Sequence, residues 1–481
     1  GFPTYRMQTA RASVQQSVFE VEVPSELGIR YKLLNTDKKP LITSSGNKDI
    51  YHWELKGQPA VNVEKHSGQS DSYLPLVLLA PNKFQLDEYD GDMTSWKNYG
   101  IWINDLYAKV SGLPEDKKQF YRDMVKNAAT DKEKAAILYN YLQNNMRYVS
   151  IQLGIGGWRP FPASFVDDKK YGDCKALSNY LKTTLDAVGI RSNLVIIYRD
   201  YKAKIVDEKF PMNDFNHVIL CIPNKTDTTW LECTSTTLPF AMLDETTLDR
   251  KAVMITEGGG VLVNTPASNY ATNTTATHTV IEVDADAGAK LRSVYTLYGE
   301  ERDKMLMRFH DLKEDEKRKF MITGREWKQP DVFSITTSKN KDNPYQVSSE
   351  MQYEKVYTFN AGNKLFFEPR LYPIFDEEIP ESGKRVSDFY FTYPYQSTDT
   401  TLYKFPAGFI AESIPKNKSV QYPFAAYSCS YSWDAATHTL TSIALLQVKQ
   451  RQVKAADYTK LLDFKKQVMA DINEKIVMKK E

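Results

Sequence analysis

The chain has few of the residues from which disulfide frameworks and metal sites are built. Its 481 residues include six histidines and four cysteines: Cys174, Cys221, Cys233 and Cys429. Four cysteines in a chain of this length do not make a disulfide framework. There is no CxxC pair and no HxH or HExxH spacing of histidines. The sequence therefore predicts neither a metal site nor a cofactor.

The chain also lacks an excess of charge of either sign. Its 62 Lys and Arg residues nearly balance 61 Asp and Glu residues, leaving a formal net charge of +1. This balance gives no electrostatic reason to expect binding to nucleic acid or to an anionic membrane. No apolar run approaches the ~20 residues that a membrane-spanning helix needs. We therefore expect no nucleic-acid partner and no transmembrane segment in this chain.

The composition that remains is that of a globular protein, with 42% hydrophobic and 26% charged residues. The length suggests more than one domain. Residues 1–95 contain alternating or aromatic-rich segments at 18–23 and 50–55, which are typical of strands. We predict a β-sandwich-like region here, which can be incomplete at its N-terminus.

Residues 96–266 mix helices with strands and are predicted to form a second domain. Helical spacing is present at 96–110, at 132–146 after a capping Thr130 or Asp131, and at 174–188. Residues 267–481 return to short β segments and form a predicted third domain.

The third domain includes a helical insertion predicted at 301–326. Its last predicted element is an amphipathic helix at about 455–476. The predicted fold class is α+β, with the mixed domain between an N-terminal β-sandwich region and a C-terminal β-rich domain ending in a helix.

Cys174 begins the helix predicted at 174–188. Gly172 and Asp173 can form the turn and cap that precede it, and Gly189 fits the end of the helix. The unpaired N–H groups and aligned dipole at a helix N-terminus stabilise a thiolate. They can also donate a hydrogen bond to an oxyanion. Cys174 is therefore the candidate nucleophile, and the alternative is a buried packing thiol.

His217 and Glu232 are the candidate base and orienting acid for this thiol. His217 begins one strand of a predicted hairpin and Glu232 lies on the other. With 217 opposite 232, the hairpin turns at 224–225. The same alternation places Cys221 and Cys233 on opposite faces, which argues against a disulfide between them. The alternatives are a hydrogen-bonded strand histidine and a solvated strand carboxylate.

Gln152 and Trp158 are candidates for the second oxyanion donor or for substrate binding. Both lie on the extended and glycine-rich segment before the Cys174 helix. Gln152 is favoured because an amide N–H₂ suits an oxyanion. The alternatives are a polar surface residue and a packed indole in a turn.

Three segments together resemble bacterial transglutaminase-like domains, which belong to the papain-like superfamily. They are residues 171–177 (Tyr-Gly-Asp-Cys-Lys-Ala-Leu), 215–219 (Phe-Asn-His-Val-Ile) and 230–234 (Trp-Leu-Glu-Cys-Thr). The resemblance covers roughly residues 97–266 and, more loosely, the flanks. It implies a papain-like or transglutaminase-like core between β-rich domains of unassigned function. Such proteins are often exported by Bacteroidetes-type bacteria.

The resemblance implies that Cys174 is the nucleophile, His217 the base and Glu232 the acidic member. The usual acid of the family is Asp followed by Pro, whereas this chain has Glu232 followed by Cys233. Because Glu is one methylene longer, this departure bears on how efficiently the site works more than on its identity.

The resulting expectation is a thiol-dependent acyl-transfer enzyme. A cysteine peptidase or amidase acting on peptide or protein substrates, including those of the cell envelope, is favoured by family analogy. The alternatives are transglutaminase-type transfer to an amine and a non-catalytic envelope binding or scaffold protein. The sequence begins at Gly1 without an initiator Met or a signal pattern, as a processed segment would. The resemblance implies export to the periplasm or cell envelope, and the sequence does not indicate an oligomeric state.

Overall fold

The chain divides into two units in the computed structural model. The first comprises residues 1–63 and 68–267, and the second 64–67 and 268–481. The residues described are 4–322, 329–339, 343–381 and 385–481. The predicted α+β class is confirmed. The finer division into three domains, with a boundary at residue 95, stays a prediction.

The N-terminal part of the first unit consists of strands. They are β1 (Tyr5–Arg6), β2 (Val14–Pro24), β3 (Ile29–Leu34), β4 (Leu41–Ser45), β5 (Lys48–Gln58), β6 (Leu76–Pro81), β7 (Lys83–Leu86) and β8 (Tyr89–Asp92). Two antiparallel sheets, β1-β6-β3 and β2-β5-β4, contribute to one shared core around Trp53. This is the β-rich, two-sheet arrangement that the alternating segments predict.

Five helices and seven strands follow in the first unit. The helices are α1 (Trp96–Ala108), α2 (Glu115–Met124), α3 (Asp131–Asn145), α4 (Ala163–Lys169) and α5 (Cys174–Ala187). The strands are β9 (Arg147–Tyr148), β10 (Tyr171–Gly172), β11 (Asn193–Ile197), β12 (His217–Pro223), β13 (Thr228–Leu231), β14 (Lys251–Thr256) and β15 (Gly259–Asn264).

The last five of these strands form an antiparallel sheet in the order β13-β12-β11-β14-β15. One face packs on the helices, where Leu177 and Leu181 of α5 share a core with Leu220. The opposite face has its own small core around Val195 and Cys221. Burial on both faces explains the nearly continuous apolar sequence of β11 and β12.

Two helices of this unit are absent from the sequence-based prediction. In α2 only Tyr121 is buried, so the helix has little apolar periodicity to recognise. The α4 helix has only seven residues and is followed by Lys170, whose φ of +62° lies in the left-handed region. The predicted helices at 96–110, 132–146 and 174–188 are confirmed within two residues at each end.

The second unit is β-rich. Its strands are β16 (Thr274–Val283), β17 (Ala289–Leu297), β18 (Val332–Thr337), β19 (Tyr345–Tyr353), β20 (Phe359–Ala361), β21 (Lys364–Phe367), β22 (Phe389–Tyr390), β23 (Tyr395–Lys404), β24 (Phe409–Ser413), β25 (Lys418–Gln421), β26 (Ala425–Asp434), β27 (Thr439–Val448), β28 (Gln452–Val453) and β29 (Ile476–Lys480). An eight-stranded sheet has the order β18-β19-β17-β16-β23-β27-β26-β25, and only β16 and β23 pair in parallel within it.

The described part of this unit also contains three α-helices: α6 (Gly299–Asp311), α7 (Glu314–Ile322) and α8 (Tyr458–Ile472). The first two confirm the predicted helical insertion up to residue 322, and residues 323–326 of that prediction lie outside the described residues. The final helix is shorter than predicted. It ends at Ile472, and 476–480 instead form β29, because Ile476 and Met478 are buried between β21 and β24. None of the described helices is long and apolar enough to cross a membrane.

Candidate active site

The thiol of Cys174 lies at the N-terminus of α5, as the sequence predicts. Asp173 caps the helix, and its Oδ1 accepts a hydrogen bond of 3.0 Å from the Ala176 N–H. Lys175 Nζ donates to Oδ2 of the same carboxylate. As the first helical residue, Cys174 has a backbone N–H without an acceptor inside the helix. That N–H is a ready donor beside the thiol.

His217 is held against this helix end by two contacts from its neighbours. Ser178, one turn after the cysteine, donates 3.1 Å to the carbonyl of Val218 and so ties α5 to β12. Asn216 bonds both backbone groups of Arg199, accepting at 2.7 Å and donating at 3.1 Å. These contacts fix the start of β12, where the His217 side chain is 6% exposed.

Glu232 reaches the ring of His217 from beyond the end of β13. Its Oε2 lies 2.9 Å from His217 Nε2. Its Oε1 accepts from Thr234, at 2.9 Å from the backbone N–H and 2.5 Å from the hydroxyl. The Tyr139 hydroxyl of α3 donates 3.0 Å to the Glu232 carbonyl, and the carboxylate is fully buried. Since Glu232 uses Nε2, the ring nitrogen left for Cys174 is Nδ1.

The predicted register of the hairpin is wrong by two residues. The observed pairs are Leu220 with Leu231 and Cys221 with Trp230, whereas the prediction places 217 opposite 232. The turn is wider than predicted and spans 224–227, closed by an Asn224 N–H bond of 2.9 Å to the Asp227 carbonyl. A shift of two residues leaves every side chain on its original face. Cys221 and Cys233 therefore lie in different cores, as predicted, and all four cysteines are free.

The charges of the site are mutually stabilised. Burial alone would lower the pKa of His217, but the charge of Glu232 and hydrogen bonds with Cys174 and Glu232 raise it to about 9. Burial alone would raise the pKa of Glu232. The charge and hydrogen bond of His217, with help from Arg199 and Thr234, lower it to about 2. At neutral pH the pair is therefore an imidazolium and a carboxylate.

A cavity of about 280 Å³ opens over the cysteine and the histidine. Gln152 and Trp158, the two further predicted site residues, both line it. The Trp158 ring packs edge-on against Trp102 at a centroid distance of 5.1 Å. Other lining side chains come from α1 and from the segment before β12: Tyr99, Ile103, Tyr107, Asn213 and Phe215.

Sequence reasoning missed Arg199 and Thr234, which surround Glu232. Thr234 belongs to the segment 230–234, but its hydroxyl carries no motif of its own. Arg199 lies after β11 at the start of a polar loop, and only the fold brings it near the acid. Among the residues that the structure describes, no three His, Cys, Asp or Glu side chains come together as metal ligands.

Comparisons with known proteins agree with this architecture. Residues 118–236 match the model of the transglutaminase-like superfamily. Residues 363–478 match a domain of unknown function with solved structure, DUF3858. The predicted resemblance to a transglutaminase-like domain protein with β-rich flanks is thereby confirmed. A search of curated proteins found no match.

Two solved structures are similar to the chain. One is described as "a putative protease" from Parabacteroides distasonis, with a TM-score of 0.62 and 12% identity over 99% of this chain and 74% of that one. At this identity the likeness concerns the fold alone. The other is described as "a putative cysteine protease" from Cytophaga hutchinsonii, with 8% identity over 48% of this chain and 71% of that one. Its TM-score is 0.22.

Proposed function

We propose, from the transglutaminase-like domain that this chain contains at residues 118–236, that the protein is a thiol-dependent acyl-transfer enzyme. The proposed activity is that of a cysteine peptidase or amidase acting on peptide or protein substrates. The observation that carries the proposal is the buried His217–Glu232 pair at 2.9 Å, directly beside the thiol at the start of α5. A nucleophile, a base and an orienting acid in one cavity are what acyl transfer requires.

In the proposed first step, the thiolate of Cys174 attacks the carbonyl carbon of an amide. The backbone N–H of Cys174 and the Gln152 amide stabilise the oxyanion that forms. Imidazolium His217 then gives its proton to the leaving nitrogen as the C–N bond breaks. The products are a free amine, a thioester on Cys174 and a neutral imidazole.

In the second step, neutral His217 takes a proton from water while the water oxygen attacks the thioester. The C–S bond breaks, releasing the acid and restoring the thiolate and imidazolium. Glu232 stays ionised throughout, because its low pKa keeps it a hydrogen-bond acceptor that orients the ring.

Water is the proposed acceptor, since the structural neighbour that shares this fold is described as a putative protease. Transfer to a primary amine is the alternative, and it uses the same acyl-enzyme. Incubation with peptide substrate and a fluorescent primary amine separates the two. In hydrolysis the acyl group of the peptide ends as a free carboxylic acid and the fluorescent amine stays unattached, whereas a transglutaminase joins that amine to the acyl group.

The central test is profiling with thiol-directed acyl probes and peptide libraries. We expect the probe to attach to Cys174 and the library to be cleaved. Cys174→Ala should abolish both, whereas Cys221→Ser should not, because Cys221 packs behind the sheet. If the Cys174→Ala protein hydrolyses the library as fast as the native protein, the proposed function is wrong.

The proposed setting is the periplasm or cell envelope, with peptide or protein substrates there. This rests on the family resemblance alone. Cell fractionation of the natural source, with immunodetection of the full-length protein, is the measurement that checks it.

A further inference from the structure

We infer that Arg199 is a positioning residue of the site, which acts through the hydroxyl of Thr234 to aim Glu232 at His217. This inference rests on the proposed function, because it concerns how that site is held. No part of the transglutaminase-like motifs contains Arg199, which follows β11.

Three side chains accept hydrogen bonds from the planar guanidinium of Arg199. Nε donates 3.0 Å to the Thr246 hydroxyl, and Nη2 donates 3.0 Å to Asp244 Oδ2. Nη1 donates 3.2 Å to the Thr234 hydroxyl. Asn216 fixes the backbone of Arg199 at the same time. The group is therefore anchored before it touches Thr234.

The Thr234 hydroxyl links Arg199 to Glu232, because it accepts a hydrogen bond from the first and donates one to the second. A hydroxyl has one hydrogen and two lone pairs. Because Arg199 can only donate, it occupies a lone pair of the Thr234 oxygen. The hydroxyl hydrogen is then directed to Glu232 Oε1, at 2.5 Å. The Thr234 backbone N–H adds a second bond of 2.9 Å to the same oxygen.

Fixing Oε1 in this way determines where Oε2 points. A glutamate has one more rotatable bond than an aspartate, so a single contact with His217 would leave its carboxylate free to turn. With Oε1 bonded twice to Thr234, the other oxygen is aimed at Nε2 of His217, 2.9 Å away. The Arg199–Thr234 contact thus compensates for the longer acid in this chain.

The charge of Arg199 also favours the ionised form of Glu232. Burial alone would lower the pKa of Arg199, but the charges of Glu232 and Asp244 raise it. The Arg199 charge in turn helps to lower the pKa of Glu232. The Arg199 and Asp244 side chains are 35% and 15% exposed, so water weakens their electrostatic effect. The hydrogen bonds therefore hold Glu232 more firmly than the charge of Arg199 does.

The experiment follows His217 directly by nitrogen NMR of the full chain labelled at its six histidines. The native ring should titrate near pH 9. Arg199→Met and Thr234→Val should each lower this midpoint by about one unit or more, because a misdirected carboxylate stabilises the imidazolium less. Thr234→Ser keeps the hydroxyl and should hold the midpoint closer to the native value than Thr234→Val. Arg191→Met, at an exposed position of the same domain, is the matched control.

The sign of the shift separates positioning from other roles. If Arg199 acted only as a nearby positive charge, its loss would raise the His217 midpoint. If it only stabilised the fold, its loss would lower the melting temperature and leave the midpoint unchanged. Either result overturns the inference.

A second measurement is the rate of Cys174 alkylation by iodoacetamide, followed by mass spectrometry. We expect it to fall about tenfold in Arg199→Met and Thr234→Val, the scale of a misplaced reacting group. The alkylation rate of Arg199→Lys should lie between those of these two variants and that of the native protein. Lysine keeps the positive charge but lacks the several N–H donors of the planar guanidinium. The His217 midpoint tests the positioning role even if no substrate is turned over, so failure of the proposed function and failure of this inference remain distinguishable.

Discussion

Glu232 contacts His217 at 2.9 Å although it is one methylene longer than the aspartate that the resemblance to transglutaminase-like domains implies. The reason is local. Strand β13 ends at Leu231, so the backbone of Glu232 has already left the ladder. The side chain reaches the ring from outside the ladder, and the two Thr234 bonds hold the carboxylate in place. The contacts of Thr234 thus hold the longer acid against His217.

Restoring the usual family residue should therefore weaken the site. In Glu232→Asp the shorter side chain can keep its bonds to Thr234 or reach His217, but not both. We expect the rate of Cys174 alkylation at pH 7 to fall by about tenfold or more. Glu232→Gln should lower it further, because the amide carries no charge to hold the imidazolium.

The matched control is Glu208→Asp, which shortens an exposed glutamate that pairs with Lys251 in the same unit. Its alkylation rate should equal that of the native protein. A Glu232→Asp variant that reacts as fast as the native protein would show that the longer acid is not fitted to its surroundings.

The His217–Glu232 pair should also make folding stability depend on pH. The folded pKa of His217 is about 9 against an ordinary 6.5, so its stabilising contribution is full below pH 6.5 and is lost as pH rises through 9. At about 1.4 kcal/mol per unit, this contribution is on the order of 3 kcal/mol. The folded pKa of Glu232 is about 2 against 4.5. Its contribution is present above pH 4.5 and is lost as pH falls through 2.

Urea unfolding at pH 6 and at pH 9.5 measures the histidine part of this effect. The double variant His217→Gln/Glu232→Gln removes both charges without leaving one buried alone. We expect the native protein to lose more free energy of unfolding than the double variant between these two pH values. Parallel losses in the two proteins would contradict the assigned pair.

Gln152 and Trp158 can be told apart as the second oxyanion donor. Iodoacetamide alkylation forms no oxyanion, whereas attack on an amide or ester does. If Gln152 is the donor, Gln152→Ala should slow ester or peptide turnover by roughly 10- to 100-fold and leave Cys174 alkylation unchanged. Trp158→Phe, which keeps a ring against Trp102 and removes the indole N–H, should have a small effect on both. The opposite pattern would assign the role to Trp158.

Much of the site could be predicted from sequence because its parts are local. The Cys174 helix has an Asp173 cap, a regular apolar face and a closing Gly189, and the structure follows each of these signals. Two-residue alternation placed Cys221 and Cys233 on opposite faces even with the wrong register. A register shift of two residues does not change which face a side chain occupies. The register itself depends on the turn, and the sequence around 224–227 did not determine where the turn begins.

The parts that sequence could not predict depend on contacts across the fold. Arg199 and Thr234 are 35 positions apart and meet through a hydrogen bond between side chains that no spacing rule encodes. The end of the chain is a similar case. The amphipathic pattern extends to Ile476, but partners on β21 and β24 draw the last residues into a sheet. Tertiary pairing overrides the helical pattern there.

Helix α1 packs against β15 at Gly100, where the two backbones approach each other closely. A Cβ on Gly100 would lie 1.9 Å from the backbone nitrogen of Gly260 and 2.2 Å from its Cα. Gly100→Ala would gain about 1 kcal/mol of helix propensity, but backbone atoms cannot yield as a flexible side chain does. The cost of this steric clash should exceed the gain in helix propensity, and we expect a net loss of about 2 kcal/mol in stability.

The measurement is the thermal midpoint of the full chain by calorimetry, with Gly112→Ala as control, because nothing lies within 4 Å of a Cβ at that position. Gly100→Ala should lower the midpoint and Gly112→Ala should not. Since Tyr99 and Ile103 of α1 line the cavity over Cys174, displacement of the helix should also slow probe attachment to Cys174. A lowered midpoint with unchanged attachment would mean that α1 stabilises the fold without shaping the cavity. An unchanged midpoint would mean that the helix and the strand can separate at little cost.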